Sequence, residues 1–438
     1  MSPEILGLLA LLSLFGFILV GYPISFTLII LSLVTGYIGI GKVVFSLMTL
    51  QFFSVMTDTV LSAVPFFLFM GYILENSGLL GRLFKAFQYL LARLPGSLYL
   101  AVTTTATIFA AATGIVGSSI TLLGVMAAPT MRESKYDVRL SAGCISAGGT
   151  LGILIPPSIM LVVMGPVVGV PVTDLFAAAI FPGIVLAGLY ISYTLIRCLL
   201  KPELGPPLPK ELRPTSWAWI LKELLLGVLP VTALILATLG SIMAGMATPT
   251  EGAAAGAFGS LVLTLAYRRL TFKGLKRSVF RTVEISAMIL LLVAASNFFG
   301  SVFSRLGSAT MLTDMLMATN LSPMVMLLMI MALIFVLGWP LEWVPIVLII
   351  IPILMPLVRQ MGYNLLWFCT LVAVTLQTAW LSPPVALSAY FLKGVVPDWQ
   401  LKDIYVGMMQ FMVLQVIGLL VIMFFPQIAT WLPEVLSR

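Results

Sequence analysis

The 438-residue sequence contains no histidine, only three cysteines and few charged residues. The absence of histidine excludes imidazole ligands to haem or metals and general-base catalysis by histidine. The cysteines are far apart in apolar stretches, which excludes a CxxC motif. Charged residues make up 9% of the chain and apolar residues 61%, whereas soluble domains carry about 25% charged residues. Such a chain cannot cover a soluble surface, and its composition predicts an all-α polytopic membrane protein.

Long apolar runs mark the predicted membrane-spanning helices. A helix that crosses the hydrocarbon core needs about 20 residues, most of them apolar. The first run has no basic region before it, which predicts a retained helix rather than a cleaved signal peptide. The basic residues lie in short clusters between the runs, so the net charge of +7 does not indicate nucleic-acid binding. The predicted spans are 5–20, 24–41, 57–78, 175–199, 224–246, 250–267, 284–304 and 407–426.

Four further apolar regions are interrupted by glycine, proline and serine. Two of them run to a polar tip and turn back, which predicts re-entrant hairpins over about 98–131 and 324–358. Two others, 140–163 and 365–392, contain prolyl pairs that remove amide donors and break the helix inside the membrane. One such pair alone would favour a simple proline kink, but the repetition favours paired broken helices. The prolines of the two breaks are Pro156, Pro157, Pro383 and Pro384.

These irregular regions recur at a nearly constant spacing. The separation between Pro129 and Pro356 is the same as the separation between the two prolyl pairs. Gly78 and Gly307, further upstream, keep almost the same separation. The sequence therefore predicts two repeats, roughly 1–199 and 224–426, joined by a polar, proline-rich linker.

Charge asymmetry predicts the orientation of the chain. Lysine and arginine concentrate in the cytoplasmic loops of membrane proteins. When the linker is placed in the cytoplasm, 19 of the 23 basic residues fall on that side. Segment 80–95 is then cytoplasmic, whereas its counterpart 305–322 faces outward, so the repeats must have opposite topology. This threading predicts inverted repeats with both termini in the periplasm.

Inverted repeats with paired hairpins and broken helices are typical of secondary transporters. The unpaired backbone groups at the tips and breaks must stay together, because each costs several kcal/mol when exposed to lipid. This favours a moving core held by a fixed scaffold. The predicted division is a scaffold part with an interfacial arm over 1–97, a core part over 98–199, a cytoplasmic linker over 200–223, a second scaffold part with its arm over 224–322, and a second core part over 323–438.

The hairpin tips and breaks also supply groups that bind ions. Free N–H groups at a half-helix N-terminus attract anions, and free carbonyls at a C-terminus attract cations. Sodium suits a cage of carbonyl and hydroxyl oxygens. The candidate hydroxyl ligands are Thr113, Ser118, Ser119, Thr150 and Ser382, and the candidate substrate contacts are Thr113, Gly117, Ser158 and Glu342.

Two acidic residues in apolar regions need separate interpretation. Glu342 lies in the second hairpin tip, where a functional carboxylate and a structural cap are both open. Glu251 follows Pro249 at the start of a helix, which favours a helix-terminal carboxylate over a proton carrier. The sequence shows no nucleophile–base pair and no metal cluster, so we do not expect an enzyme.

Two motifs resemble those of a known family. Residues 147–159 read Ala-Gly-Gly-Thr-Leu-Gly-Ile-Leu-Ile-Pro-Pro-Ser-Ile, and residues 247–256 read Ala-Thr-Pro-Thr-Glu-Gly-Ala-Ala-Ala-Gly. Both resemble the large membrane subunit of tripartite ATP-independent periplasmic (TRAP) transporters, and the resemblance covers essentially the whole chain. It implies a sodium-driven elevator transporter in the bacterial inner membrane.

The same resemblance implies partners and ion ligands. A small four-helix membrane subunit would brace the scaffold, and a periplasmic binding protein would deliver a small organic acid. Sodium ions would be the coupling ions, with no other cofactor or metal. The sodium ligands carried over to matching positions are Ser118, Ser119, Gly149, Thr150, Gly338 and Ser382.

A self-sufficient sodium/dicarboxylate symporter of the wider elevator group is the alternative interpretation. The Ser-Asn-Thr signatures that such symporters carry at their hairpin tips are missing here. Adjacent genes for a four-helix protein and a secreted binding protein would separate the two. The substrate stays open among lactate, a 2-oxo acid, an aromatic acid and a dicarboxylate.

Overall fold

A computed structural model describes residues 2–208, 213, 216–383 and 386–436. Every regular element in these ranges is helical. In chain order the helices are α1 (Pro3–Val20), α2 (Ile24–Ile40), α3 (Val43–Met56), α4 (Ala63–Asn76), α5 (Leu79–Leu90), α6 (Ser97–Thr113), α7 (Val116–Glu133), α8 (Val138–Leu154), α9 (Ile159–Val168), α10 (Val172–Leu200), α11 (Trp217–Met243), α12 (Pro249–Ala266), α13 (Phe272–Arg305), α14 (Ser308–Met317), α15 (Pro323–Leu337), α16 (Trp343–Gln360), α17 (Leu365–Leu381), α18 (Leu387–Val395), α19 (Leu401–Phe424) and α20 (Gln427–Leu436).

The lengths and composition of these helices fit a multi-pass membrane protein. Within the described ranges, seven stretches are long and apolar enough to cross a bilayer, or eight if the bent pair α4–α5 is one span. Many large apolar side chains on the outside are exposed, including Phe53 and Phe258, as a lipid-facing surface requires. The predicted all-α membrane fold is confirmed.

The two repeats are visible helix by helix. Helices α8 and α17 begin at Val138 and Leu365, a separation equal to that of the prolyl pairs, and the helices on either side follow in the same order. Helices α6 and α7 form hairpin 1, and α15 and α16 form hairpin 2. Helices α8–α9 and α17–α18 are the two broken helices: the first is interrupted at 155–158, and in the second α17 ends at Leu381 and α18 begins at Leu387.

The repeats differ between α3–α4 and α13, where the predicted bounds of the spans 57–78 and 284–304 were wrong. The predicted span 57–78 begins only at Ala63, after a turn in which the Asp58 carboxylate accepts hydrogen bonds from the amides of Val60 and Leu61 at 2.8 and 3.2 Å. Helix α3 precedes this turn and was not predicted. In the second repeat a single 34-residue helix, α13, occupies the corresponding place. It includes residues 272–283, which precede the predicted span 284–304.

Glycine permits the sharp turns into the two arms. Gly78 and Gly307 precede α5 and α14 with φ of +73° and +79°, a left-handed conformation that glycine adopts without steric cost. Helices α4 and α5 consequently meet at 61°. Helices α5 and α14 occupy the positions of the predicted interfacial arms.

Backbone-to-backbone contact joins the two repeats. Helix α8 packs against α19, and a β-carbon at Gly407 would lie 1.9 Å from the carbonyl oxygen of Arg139. A β-carbon at Gly143 would lie 2.5 Å from the Gly407 carbonyl oxygen. The small residues let the helices approach closely, as in membrane helix pairs generally. Arg139 also donates a 2.8 Å hydrogen bond to Asp403 across the same helix pair.

Candidate functional site

A cavity of about 510 Å³ lies where both hairpins and both breaks face helices α4 and α13. Hairpin 1 contributes its tip and the first turns of α7, and hairpin 2 contributes the start of α16. The break regions contribute side chains from α8, α9, α17 and α18. Its polar, charged and aromatic lining residues, with Gly117, are Gly117, Ser118, Thr121, Glu342, Trp343, Trp380, Phe391, Tyr72, Glu75, Arg277, Arg281 and Glu284.

The tip of hairpin 1 lies directly against the first break. Gly114 has φ of +61° and ends α6. A β-carbon at Gly114 would lie 3.2 Å from the Pro157 carbonyl oxygen, and one at Gly152 would lie 3.8 Å from Gly114. Glycine is therefore needed at the tip for both its conformation and its close approach.

The N-terminus of α7 opens into the cavity. The first amides of a helix have no carbonyl partner within that helix, and Ile115 provides no side-chain cap. Gly117 and Ser118 both line the cavity in this turn. The Thr121 hydroxyl also lines it and donates a 2.8 Å hydrogen bond to the Gly117 carbonyl. This combination of free amides and hydroxyls suits an anionic group.

Hairpin 2 is arranged in the same way around the second break. A β-carbon at Gly338 would lie 3.2 Å from the β-carbon of Ala379, three residues before Ser382. Glu342 precedes α16, forms no side-chain cap hydrogen bond and lines the cavity. The tip of hairpin 1 thus contacts the break of its own repeat, and the tip of hairpin 2 contacts α17 one turn before the second break.

Several predicted ion ligands lie inside the helix bundle beside these tips. The hydroxyls of Ser119, Thr150 and Ser382 are buried and donate to backbone carbonyls at 2.8, 2.8 and 2.6 Å. Donation leaves the hydroxyl oxygen able to accept or to coordinate a cation. A β-carbon at Gly149 would lie 2.3 Å from Ile120 of hairpin 1, so hairpin and broken helix touch there.

The remaining predicted residues have other positions. The buried Ser158 hydroxyl donates to the Ile153 carbonyl across the first break. Pro249 is the first residue of α12, and Glu251 and Thr248 form a capping box in which Glu251 accepts from the Thr248 amide at 2.8 Å. Pro156, Pro157 and Pro383 lie in the breaks. The side chain of Thr113 and the whole of Pro384 lie outside the described residues.

The structure adds a buried amide cluster that sequence reasoning missed. Gln415 Nε2 donates to the Thr150 hydroxyl at 3.1 Å and lies 3.5 Å from Gln377 Oε1. All three side chains are fully buried. Thr150 and Gln377 have the same separation as the two prolyl pairs, so they are equivalent positions of the two repeats. Gln415 therefore links the two broken helices next to their breaks.

Two arginines form part of the cavity wall. Arg277 and Arg281 are among the basic residues that the threading places on the cytoplasmic side, and both line the cavity from α13. The Arg281 guanidinium lies 5.9 Å from the centroid of the Tyr72 ring. Within the described ranges, neither arginine has a carboxylate oxygen within 4 Å. Their spacing of four residues puts them on one helix face, but the sequence does not show which face meets the cavity.

The sequence is similar to those of known membrane transport proteins. The family model described as "Tripartite ATP-independent periplasmic transporter, DctM component" matches residues 11–428. The chain is 29% identical over 426 residues to the sialic acid TRAP transporter large permease protein SiaM of Vibrio cholerae, covering 96% of each chain. It is 27% identical over 440 residues to the C4-dicarboxylate TRAP transporter large permease protein DctM of Rhodobacter capsulatus, covering 97% of this chain and 98% of that one.

A solved structure has a similar fold. The YdaH transporter of Alcanivorax borkumensis, described as having an unusual topology, superposes with a TM-score of 0.64 over 98% of both chains at 15% identity. At that identity the similarity concerns the fold alone. It supports the helix arrangement described above.

Proposed function

Since this chain belongs to the DctM family, the large permease subunits of TRAP transporters, we propose that it imports a small organic acid by sodium-coupled elevator transport. A periplasmic binding protein delivers the acid, and a small four-helix membrane subunit braces the scaffold. Transport involves no covalent chemistry. The chain lies in the bacterial inner membrane with both termini in the periplasm.

The observation that carries this proposal is the pairing of each hairpin tip with a helix break around one cavity. Unwound backbone inside a membrane is tolerated where it is buried or lines an aqueous cavity. Here Gly114 approaches the Pro157 carbonyl, and α7 presents its N-terminal amides to the cavity. An organic acid fits this place because its carboxylate accepts hydrogen bonds from those amides and from Ser118.

Sodium is the coupling ion that best suits these surroundings. The tip and break regions present carbonyls and the hydroxyls of Ser119, Thr150 and Ser382, which are neutral oxygen ligands. Ser118, Gly149 and Gly338 complete the proposed ligand regions. The chain has no histidine to carry protons. The Ser119 and Ser382 hydroxyls already donate to carbonyls and can offer their oxygens to a cation, whereas Thr150 would first have to release its hydrogen bond from Gln415.

The proposed motion carries a core past a scaffold. The core comprises 98–199 and 323–438, because these segments hold both hairpins and both breaks and are joined by the α8–α19 contact. The scaffold comprises 1–97 and 224–322, in which α4 packs against α12 and α2 against α13. Moving the core as one packed unit keeps the unpaired backbone groups covered throughout the cycle.

Reconstitution tests the proposal. The chain is incorporated into proteoliposomes with its small membrane subunit, and its binding protein is added outside with labelled organic acids. We expect uptake that requires an inward sodium gradient. Uptake that continues undiminished when potassium replaces sodium, under an imposed pH gradient, would contradict sodium coupling. Uptake without the binding protein would favour a self-sufficient symporter.

A further inference from the structure

One wall of the cavity is aromatic. The rings of Trp380 and Phe391 are stacked, with centroids 6.4 Å apart and an interplanar angle of 28°. They come from α17 and α18, on either side of the second break. A β-carbon at Gly117 would lie 2.8 Å from Cζ of Phe391. The Phe391 ring therefore lies on the bare backbone of hairpin 1, beside the free amides of α7.

Most of the remaining lining is apolar, and most of the charged residues lie on the scaffold side of the cavity, opposite the aromatic wall. Arg277, Arg281, Glu75 and Glu284 line the scaffold side, two of each sign, so this wall has no net charge. On the core side Glu342 is the lining carboxylate, and hydroxyls come from Ser118 and Thr121. The apolar lining comprises residues such as Ile115, Met160, Ile285, Met288 and Ile289.

We infer that the transported acid is a monocarboxylate with an apolar body that contains a flat ring. This inference rests on the proposed function and narrows its substrate class. The carboxylate binds at the N-terminus of α7, where amides and Ser118 meet. The ring then lies against the Trp380–Phe391 stack, in the offset arrangement that aromatic groups prefer.

Two other classes of organic acid fit this wall poorly. A second carboxylate would have no net positive wall to face. The hydroxyl groups of a sugar acid would lie against apolar side chains and lose hydrogen bonds to water, which is costly when no partner replaces them. We therefore expect at least a tenfold preference for the aromatic monocarboxylate.

Four 2-hydroxy acids test the inference, because they share the carboxylate and differ in the body. They are phenyllactate, lactate, malate and gluconate. Binding to the purified complex of this chain and its small membrane subunit is measured in sodium buffer by titration calorimetry, without the binding protein. We expect the Kd for phenyllactate to be at least tenfold below those for malate and gluconate, and below that for lactate.

Substitutions locate the effect. Trp380→Ala and Phe391→Ala should each weaken phenyllactate binding about three- to tenfold and change lactate binding less than twofold, whereas Trp380→Phe should retain most of the preference. Trp431→Ala is the matched control, because Trp431 packs on Phe181 with ring centroids 5.5 Å apart and is not in the cavity lining. It should change neither acid.

The outcomes separate this inference from the proposed function. Malate or gluconate binding as tightly as phenyllactate would overturn the inference, as would equal loss for all four acids in the Trp380→Ala and Phe391→Ala proteins. So would failure of all four acids to bind to a complex that takes up another acid with sodium. Preferential phenyllactate binding by a complex that shows no sodium-driven uptake would support the inference and contradict the proposed function. The comparison on the unmodified protein decides the matter if a variant fails to fold.

Discussion

Substitution of Gly407 by alanine should destabilise the core more than any ordinary glycine replacement. A β-carbon there would lie 1.9 Å from the Arg139 carbonyl oxygen and 3.0 Å from the Gly143 amide nitrogen. Ordinary contact begins near 3.4 Å, so α19 and α8 would have to separate by roughly 1.5 Å, because backbone atoms of a packed helix have no rotamer by which to move aside. Every contact along that helix pair would weaken.

The expected cost follows from known overpacking. Adding a methyl group to a packed core costs about 1–3 kcal/mol, occasionally more, and the clash with backbone atoms of α8 puts Gly407→Ala at the upper end. Such a loss should lower the apparent melting temperature by about 3 °C, because the unfolding entropy of a chain of this length is about 0.9 kcal/mol/K. The assay is thermal unfolding of the purified protein in detergent, followed by tryptophan fluorescence.

Gly188→Ala is the matched control. Gly188 lies within α10, and a β-carbon there has no neighbour within 4 Å. Alanine should hold or raise stability by up to about 1 kcal/mol through its higher helix propensity. If the Gly407→Ala protein melts at the same temperature as the unmodified protein while the control behaves as expected, the backbone contact between the repeats is wrong.

Three further predictions concern the cap, the topology and an ion pair. Glu251→Ala should lower the melting temperature slightly, because the Glu251 half of the capping box with Thr248 is lost, and leave the sodium dependence of uptake unchanged; loss of that dependence in a folded variant would assign Glu251 a transport role. Ser216→Cys, in a protein without other cysteines, should resist a membrane-impermeant maleimide in intact cells and react in inverted vesicles; labelling in intact cells would refute a cytoplasmic linker. Asp403→Asn should cost less than about 1 kcal/mol, because the Arg139 side chain is half exposed and solvent screens the pair; a larger loss in thermal unfolding would show that the pair is not screened.

Much of the architecture was predictable because proline and glycine act locally. A prolyl pair breaks a helix whatever surrounds it, so the breaks at Pro156 and Pro383 were visible in the sequence. Their spacing then exposed the repeat. The bounds of α3 and α13 were less accessible. Helix α3 has only 14 residues, which is too short to satisfy a length criterion for a membrane span.

The cavity wall was harder to predict because it depends on which helix faces meet. Arg281 belongs to a basic cluster that predicts a cytoplasmic location. Only the packing of α13 on α4 brings it to Tyr72. Trp380 and Phe391 are separated by a break, so no helical periodicity relates them. Gln377 offered one usable signal, since it is the repeat equivalent of Thr150. Its amide carries no charge, so it does not stand out in an apolar segment as an ionisable residue does.

A cross-linking measurement tests the central claim, that a core moves against a scaffold, most directly. Phe67 of α4 and Phe176 of α10 lie on opposite sides of the proposed boundary with ring centroids 6.3 Å apart. Phe181 and Trp431 are 5.5 Å apart, both within the core. In proteins without other cysteines, each pair is replaced by cysteines and bridged by mercury, and sodium-driven uptake is measured before and after reduction. Bridging 67 to 176 should abolish uptake reversibly, whereas bridging 181 to 431 should leave it unchanged. Normal uptake by the protein bridged between 67 and 176 would contradict the elevator account.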